Sequence, residues 1–327
     1  MKLAIITFTS RGKAIVNKLK GHIMLDHYYK KGEEDFDVYK LTKTLMQDYE
    51  GVVFIGAIGI AVRAIAPNIT TKDKDPAVVV VDNAGKYVIS ILSGHLGGAN
   101  NLCITLAEIL KAEPIITTAT DNLGKIAPDT IAKNNNLVIE DLDKAKVISS
   151  LLVEDKKVYF KDERSFIDIP KGYTKDLLQS LGSVIITNKN KVESYNKPCL
   201  KLIRRDIVLG IGCKKDYDSK EMMDKVLEKL EHYNIDKRAV RYISTVEVKK
   251  DEFAINHLGK ELKCDIKIFT LEEIKKVHHK YPGSDFVEKT IGVRSVAEPV
   301  VELTGATAFT KRLSLEGMTL CIGELEG

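Results

Sequence analysis

Residues 87–121 read YVISILSGHLGGANNLCITLAEILKAEPIITTATD, and this stretch decides the fold. The apolar, β-prone run Tyr87–Leu92 predicts a strand. Apolar residues at helical spacing over 99–111 predict a helix, and Pro114–Thr118 predicts a second strand. The small residues SGHLGG at 93–98 connect the first strand to the helix. The order of strand, glycine-rich turn, helix and strand indicates an α/β protein.

The glycine-rich turn is also the first candidate for a ligand site. A turn before a helix directs backbone N–H groups and the positive end of the helix dipole toward a ligand, which favours anions. Gly94, Gly97 and Gly98 allow a ligand to approach the main chain closely. His95 would place a proton carrier beside such an anion. The alternative is a buried turn with a hydrogen-bonded histidine.

Length, charge and cysteine content exclude several classes of protein. At 327 residues, two or three domains are expected. The net charge of +4 weighs against broad nucleic-acid binding. The five cysteines are scattered without a C-x-x-C pair, which gives no sign of a disulfide framework or zinc site. No signal peptide is recognised and no apolar stretch reaches the ~18 residues of a membrane span, so we expect a cytoplasmic protein.

A second glycine-containing turn follows the apolar strand predicted at 52–57. Gly56 and Gly59 supply only part of a dinucleotide fingerprint. Arg63 lies one helical turn later and could bind a carboxylate, the alternative being a surface arginine. Further upstream, Phe36–Lys40 is predicted as a short strand before an amphipathic helix.

A hairpin is predicted where 77–82 and 87–92 flank a glycine-containing turn, so the first sheet should be mixed. Ligands of open α/β sheets bind at the carboxyl ends of strands. Residues 56–63, 93–100 and 117–121 all lie at such ends and are therefore candidate ligand contacts.

The whole chain is predicted to be multi-domain α/β. Two three-layer α/β domains with mixed sheets, at 1–122 and 206–327, are joined by a smaller α/β middle domain at 123–205. No residue cluster in the middle domain indicates chemistry, so an insertion module, lid or spacer is the expected role.

The last domain opens with a strand that is predicted to enter another glycine turn, containing Gly210 and Gly212, before Lys214. Further along, Ser295 and Glu298 form an S-x-x-E pattern. This pattern predicts a capping box at the start of a helix.

These motifs resemble the CbiG family of cobalamin biosynthesis, and the resemblance covers nearly the whole chain. In the first domain it rests on GAIGIAVR at 56–63, DPAVVVVD at 75–82 and SGHLGGAN at 93–100. In the last domain it rests on GIGC at 210–213, STVEVKKDE at 244–252 and GVRSVAEP at 292–299.

The resemblance implies a hydrolase of cobalt-precorrin-5A. Water would open the δ-lactone of ring A, the two-carbon unit would leave as acetaldehyde, and the ring-contracted cobalt-precorrin-5B would remain. Cobalt is carried by the substrate, so no protein cofactor or protein metal site is expected. The expected partner is this small-molecule corrinoid, other enzymes of the cobalamin pathway are further candidate partners, and neither nucleic acid nor a membrane is expected as a partner. A non-catalytic corrinoid-binding or carrier protein of the same pathway is the alternative. A nucleotide-binding regulator, based on the partial fingerprint, ranks third.

Chemistry, rather than the resemblance, assigns the roles of individual residues. Lactone opening needs a base for water and donors for the developing oxyanion. His95 is the predicted base, because histidine titrates near neutral pH and this one lies in a glycine turn. Asp121 is the predicted carboxylate partner or second base, the alternative being an N-cap or Asx turn. Predicted substrate contacts are Gly56, Gly59, Arg63, Ser93, Gly94, Gly97, Gly98, Asn100, Thr118, Gly210, Gly212, Lys214, Ser295 and Glu298. Arg63, Lys214 and Lys215 are expected to meet the acetate and propionate arms.

Overall fold

The computed structural model describes residues 1–29, 36–71, 74–118, 123–193 and 198–326. The chain divides into two compact units. Unit 1 comprises Met1–Lys133 and Leu152–Asp155, and unit 2 comprises Asn134–Leu151 and Lys156–Gly327. Within the described ranges, no helix is both long enough and apolar enough to cross a bilayer.

Unit 1 is built on a six-stranded mixed sheet with the strand order β2-β1-β3-β4-β5-β6. Its strands are β1 (Leu3–Thr7), β2 (Asp26–Tyr29), β3 (Gly51–Ile55), β4 (Ala77–Val81), β5 (Tyr87–Leu92) and β6 (Glu113–Ile115). Its helices are α1 (Ser10–Lys20), α2 (Val38–Asp48), α3 (Ile58–Ile65), α4 (Ala99–Leu110) and α5 (Pro128–Asn134), which ends at the first residue of unit 2. The first four strands are parallel, whereas β5 runs antiparallel to β4 and β6 runs parallel to β5.

The strands of unit 1 are covered on both faces, which confirms the predicted three layers. Alternate residues such as Ile5 and Val53 pack with α1 and α4 on one face. Ile6 and Phe54 pack with α2 and α3 on the other. Strands buried on both faces are continuously apolar, as the run at 77–81 shows.

The predicted strand at Phe36–Lys40 is wrong, because α2 already begins at Val38. The Asp37 carboxylate accepts hydrogen bonds from the backbone N–H groups of Tyr39 and Lys40 at 2.9 and 3.2 Å. This N-cap satisfies donors that a helix start leaves unpaired. A local side-chain interaction therefore overrides the β-prone composition of the segment.

Unit 2 contains two sheets. The smaller has the order β7-β11-β10-β8-β9 and is parallel except for β7. Its strands are β7 (Val138–Ile139), β8 (Val158–Asp162), β9 (Tyr173–Thr174), β10 (Gly182–Thr187) and β11 (Cys199–Ile203), and its helix is α6 (Leu142–Val153), which ends in unit 1. The buried ammonium of Lys201, on β11, lies 3.2 Å from the carboxylate of Asp236 in the second half of the unit.

The larger sheet of unit 2 has the order β14-β13-β12-β17-β15, with β16 paired to β17. The strands are β12 (Ile207–Cys213), β13 (Val240–Val246), β14 (Asp265–Phe269), β15 (Ala306–Ala308), β16 (Leu313–Leu315) and β17 (Met318–Leu325). The helices are α7 (Ser219–His232), α8 (Phe253–Leu262), α9 (Leu271–Lys275), α10 (Asp285–Ile291) and α11 (Ala297–Leu303). β12, β13 and β14 are parallel and β17 is antiparallel to β12, so this sheet is mixed as predicted.

Helices cover both faces of this sheet as well. α7 and α8 pack on one face, and α9 and α11 on the other. The three predicted domains correspond in sequence to the three sheets, although the second and third sheets share one compact unit. The division into three domains stays a prediction.

Candidate functional site

The reversed direction of β5 and β6 divides the candidate turns of unit 1 between two edges of its sheet. Leu92, the last residue of β5, pairs with Val78 near the start of β4. The turn at 93–98 therefore lies at the edge where β3 and β4 begin, whereas the turn at 56–63 lies where β3 ends. β3 is five residues long, so at ~3.3 Å per residue the two edges are roughly 15 Å apart. The turns follow the carboxyl ends of their own strands but do not form one site.

His95 lies against an acidic residue that sequence reasoning did not select. Its Nδ1 is 3.4 Å from Oδ2 of Asp129, the second residue of α5. Both side chains are almost completely buried, at 8 and 6 % exposed. A carboxylate facing Nδ1 favours the tautomer with its proton on that nitrogen, which leaves the basic lone pair on Nε2.

Lys133 reaches the same turn from the next turn of α5. Its ammonium donates to the backbone carbonyl of His95 at 3.2 Å. Burial lowers the pKa of Lys133 from its ordinary value. Gly98 lies beside it in the left-handed region at φ 88°, and a Cβ there would be 2.4 Å from the Lys133 Nζ. Asp129 and Lys133 belong to the middle segment, from which no chemistry was predicted, and the structure places both of them against the turn of His95.

Asn100, near the start of α4, connects the helix to β5 and to the segment that follows β6. Asn100 accepts a hydrogen bond from the hydroxyl of Ser90 on β5 at 2.7 Å and donates one to Thr118 at 2.8 Å. The Ser93 hydroxyl is buried and has no hydrogen-bond partner among the described residues. Asn100 and Thr118 are thus occupied in positioning, whereas the Ser93 hydroxyl is available to a ligand.

The start of α4 is only partly available to an anion. The backbone N–H groups of Ala99 and Asn100 donate to the carbonyls of Ser93 and Gly94 at 3.1 and 3.0 Å. No side chain caps the helix at Gly98. The amides of Ala99 and Asn100 are thus already paired, and the role of the Gly97 and Gly98 amides as oxyanion donors stays a prediction. Asp121, the predicted partner of His95, falls outside the described residues.

Gly56, Gly59 and Arg63 lie at the opposite edge of the sheet. The backbone N–H of Gly56 donates to Val81 at 2.9 Å, so it belongs to the sheet. Gly59 and Arg63 lie on α3 and are exposed. These residues can bind a ligand only at a place distinct from His95 within unit 1.

The predicted glycine turn after β12 is wrong, because Gly210 and Gly212 lie inside that strand. Gly210 is buried, and a Cβ on it would lie 1.9 Å from the backbone oxygen of Ala297 in α11. Gly210 therefore serves the close packing of strand and helix. Gly212, near the end of β12, lines a pocket instead.

The predicted capping box of Ser295 and Glu298 is also wrong. α11 starts close to the predicted position, but its N-cap is Val296 and has no side-chain hydrogen bond. The Ser295 hydroxyl donates to the Glu298 carboxylate at 3.2 Å, and the backbone N–H of Arg312 donates to the same carboxylate at 3.2 Å. Buried Glu298 thus fixes the two segments that contain Ser295 and Arg312, and both of these residues line the pocket.

This pocket of about 860 Å³ lies in unit 2, where β12 and β13 end. Its walls are the beginning of α8, the helix α10 and the hairpin of β16 and β17. Three predicted contacts, Gly212, Lys214 and Ser295, line it, as does Lys215. Within the described residues, no group of three or more histidine, cysteine or acidic side chains is placed to hold a metal ion.

Comparison with known families gives two matches. Residues 40–121 match the family described as Cobalamin synthesis G N-terminal, and residues 207–323 match Cobalamin synthesis G C-terminus. The residues between the two matches include Asp129 and Lys133. The motifs at 56–63, 75–82 and 93–100 fall in the first match, and those at 210–213, 244–252 and 292–299 in the second.

Curated relatives extend the similarity to almost the whole chain. The chain is 34% identical to the cobalt-precorrin-5A hydrolase of Salmonella typhimurium, over 98% of this chain and 97% of that protein. It is 28% identical to the cobalt-precorrin-5A hydrolase of Priestia megaterium, over 92% of this chain and 88% of that protein. A solved structure of a putative cobalamin biosynthesis protein G homolog from Sulfolobus solfataricus aligns over 99% of this chain and 97% of that one, with 23% identity and a TM-score of 0.43.

Proposed function

The chain belongs to the cobalamin synthesis G family, and from this premise we propose that it is a cobalt-precorrin-5A hydrolase. The hydrolase function is supported by the curated relatives, which align with 98% and 92% of this chain. We further propose the finer reaction, in which water opens the ring-A δ-lactone and the two-carbon unit leaves as acetaldehyde. The substrate brings its own cobalt, and we propose that the reaction occurs in the cytoplasm without a protein cofactor.

The buried pair of His95 and Asp129 is the observation that supports a catalytic role for unit 1. With its Nδ1 proton directed at Asp129, the imidazole takes a proton from water through Nε2. The carboxylate stabilises the imidazolium that results. The activated water adds to the lactone carbonyl, and the ring C–O bond then breaks to give a free acetate arm and a hydroxyl group.

The turn around His95 contains hydrogen-bond donors that can stabilise the negative charge developing on the carbonyl oxygen. The Ser93 hydroxyl has no partner among the described residues, and the predicted donor amides of Gly97 and Gly98 come just before α4. Both are donors of the kind that stabilise an oxyanion. In the second stage the new hydroxyl loses its proton, the carbon–carbon bond breaks to release acetaldehyde, and the macrocycle accepts the electron pair and a proton.

Release of acetaldehyde from cobalt-precorrin-5A is the direct test. The purified full chain should release it, and His95→Gln should release it roughly 10²–10⁴ times more slowly, the usual effect of losing a positioned acid–base group. His22→Gln, a change at an exposed histidine of the same unit, is the matched control and should retain full activity.

Two results would contradict the role given to His95. A rate near that of the wild type would mean that His95 is structural, and Asp121 would become the leading base. Joint loss of binding and turnover, in a variant with an unchanged circular dichroism spectrum, would make His95 a substrate anchor. A wild-type chain that binds the corrinoid but never releases acetaldehyde would favour a carrier protein.

A further inference from the structure

The pocket of unit 2 has the surface chemistry of a site for a large, partly apolar ring. Its wall includes Val246, Phe253, Ile291 and Val296, contributed by four separate segments. Phe253 is 70 % exposed, and its ring stacks on that of His257 with 5.8 Å between centroids. The ring lies beside a pocket of about 860 Å³, a volume within the ~300–1,000 Å³ that ligand pockets commonly have, and such pockets are lined mainly by apolar and aromatic side chains.

The walls of the pocket are held in place by hydrogen bonds. On one side, Lys225 donates to the carbonyl of Leu315 at 3.2 Å and lies 3.1 Å from the carboxylate of Glu316, which fixes the hairpin of β16 and β17. On the other side, the buried carboxylate of Glu252 accepts from the backbone N–H of Tyr217 at 3.0 Å and pairs with Lys249 at 3.2 Å. A pocket with both walls fixed is largely formed before a ligand arrives.

The charges around the pocket favour a ligand with a few carboxylates. The lining contains five cationic and four acidic side chains, and several of them are already paired, as Lys249 is with Glu252. Within the described residues, Lys214 and Lys215 form no ion pair and are exposed. The acidic residues in the lining disfavour a dense polyanion such as nucleic acid.

We propose that this pocket is a corrinoid-binding site in its own right. The apolar wall takes one face of the macrocycle, and Lys214 and Lys215 contact its carboxylate arms. This inference rests on the proposed function, because it identifies the ring with the substrate or product of the hydrolase. It adds that unit 2 retains the corrinoid through contacts that do not depend on His95.

Equilibrium binding to the full chain tests the site separately from catalysis. The probe is cobyrinic acid, a stable cobalt corrinoid with free carboxylate arms, followed by its absorption spectrum. Phe253→Ser should weaken its binding about tenfold or more, as expected for an aromatic residue at the centre of a contact. Lys214→Gln and Lys215→Gln should each weaken it roughly fivefold at low salt, the effect of losing an exposed ion pair.

Matched variants outside the pocket serve as controls. Phe166→Ser removes another exposed phenylalanine of unit 2, and Lys260→Gln removes an exposed lysine from the far end of α8. Both should bind the probe as the wild type does. The heptamethyl ester of the same corrinoid, which lacks the charges, should bind equally well to the wild type and to Lys215→Gln.

Two results would overturn the site. One is a wild type that does not bind cobyrinic acid, and the other is a set of pocket variants that bind it as tightly as the controls. Acetaldehyde release is measured on the same preparations. Normal release with unchanged affinity in the pocket variants would refute the site but leave the hydrolase intact, whereas binding without release would refute the hydrolase but leave the site.

Discussion

Replacing Gly210 by alanine should separate a packing role from a ligand role at a position in the GIGC motif. A Cβ at this residue would lie 1.9 Å from the backbone oxygen of Ala297 and 2.8 Å from Cγ2 of Val301. Ordinary contact begins at 3.4 Å, so helix and strand must separate by about 1.5 Å. β12 cannot yield easily, because it is hydrogen-bonded to β13 on one side and to β17 on the other.

The expected cost follows from this geometry. Overpacking a core typically costs about 1–3 kcal/mol, and a collision with backbone belongs at the upper end of that range. Alanine also lowers the conformational entropy of the unfolded chain, which stabilises the variant by about 0.4–1 kcal/mol. We therefore expect a net loss of about 2 kcal/mol, which lowers the melting temperature of a unit of this size by about 4–8 °C.

Gly259→Ala is the matched control. This glycine lies inside α8, where an added Cβ would meet Cδ1 and Cγ1 of the flexible Ile266 side chain, at 3.0 and 3.1 Å. Alanine also gains about 0.8–1.0 kcal/mol of helix propensity there, which offsets the crowding. Because the chain has no tryptophan, melting should be followed by far-ultraviolet circular dichroism. If Gly210→Ala melts at the wild-type temperature, α11 does not pack on β12 as described.

The pair around His95 gives two further predictions. Asp129→Asn should slow acetaldehyde release roughly 10²-fold or more. It should also move the acid limb of the pH–rate profile to lower pH, because the carboxylate no longer stabilises the imidazolium. An unshifted profile, or an equal loss of rate in the exposed control Asp48→Asn, would contradict this. Burial lowers the pKa of Lys133, so its charged form is less stable in the folded than in the unfolded chain. The free energy of unfolding should therefore rise with pH, from the lowered pKa of Lys133 in the folded chain up to its ordinary pKa of about 10.4. Lys133→Met should remove that rise, as measured by urea unfolding from pH 8 to 10. If the free energy of unfolding rises equally with pH in both proteins, the ammonium is not buried.

Local patterns in the sequence were sufficient to predict the elements around the candidate site. The hairpin of β4 and β5 was predicted correctly from a glycine-containing turn between two apolar runs. That prediction already implied the reversed direction of β5, and hence the separation of His95 from Arg63. The rule that ligands bind at the carboxyl ends of strands applies to parallel strands, so it could not be extended across the reversal.

The partner of His95 could not be predicted in this way. Asp129 lies far along the chain, in a polar segment whose pattern is that of an ordinary helix start. Only the folded chain brings α5 against the turn, because contact between distant segments depends on packing rather than on local propensity. The role of Gly210 could not be predicted for the same reason. A glycine at the end of an apolar run gives the same sequence pattern whether it forms a turn or allows a helix to pack closely on the strand.

The position of α5 has a practical consequence for dividing this protein into fragments. A fragment ending at residue 122 would retain all six strands of the first sheet together with His95. It would lack Asp129 and Lys133, and its histidine would lose both the carboxylate and the lysine contact. Restoring the contacts of His95 by adding the second fragment, which begins at residue 123, would then require α5 of that fragment to bind the first. A cut after residue 134 would instead leave the pair on one polypeptide.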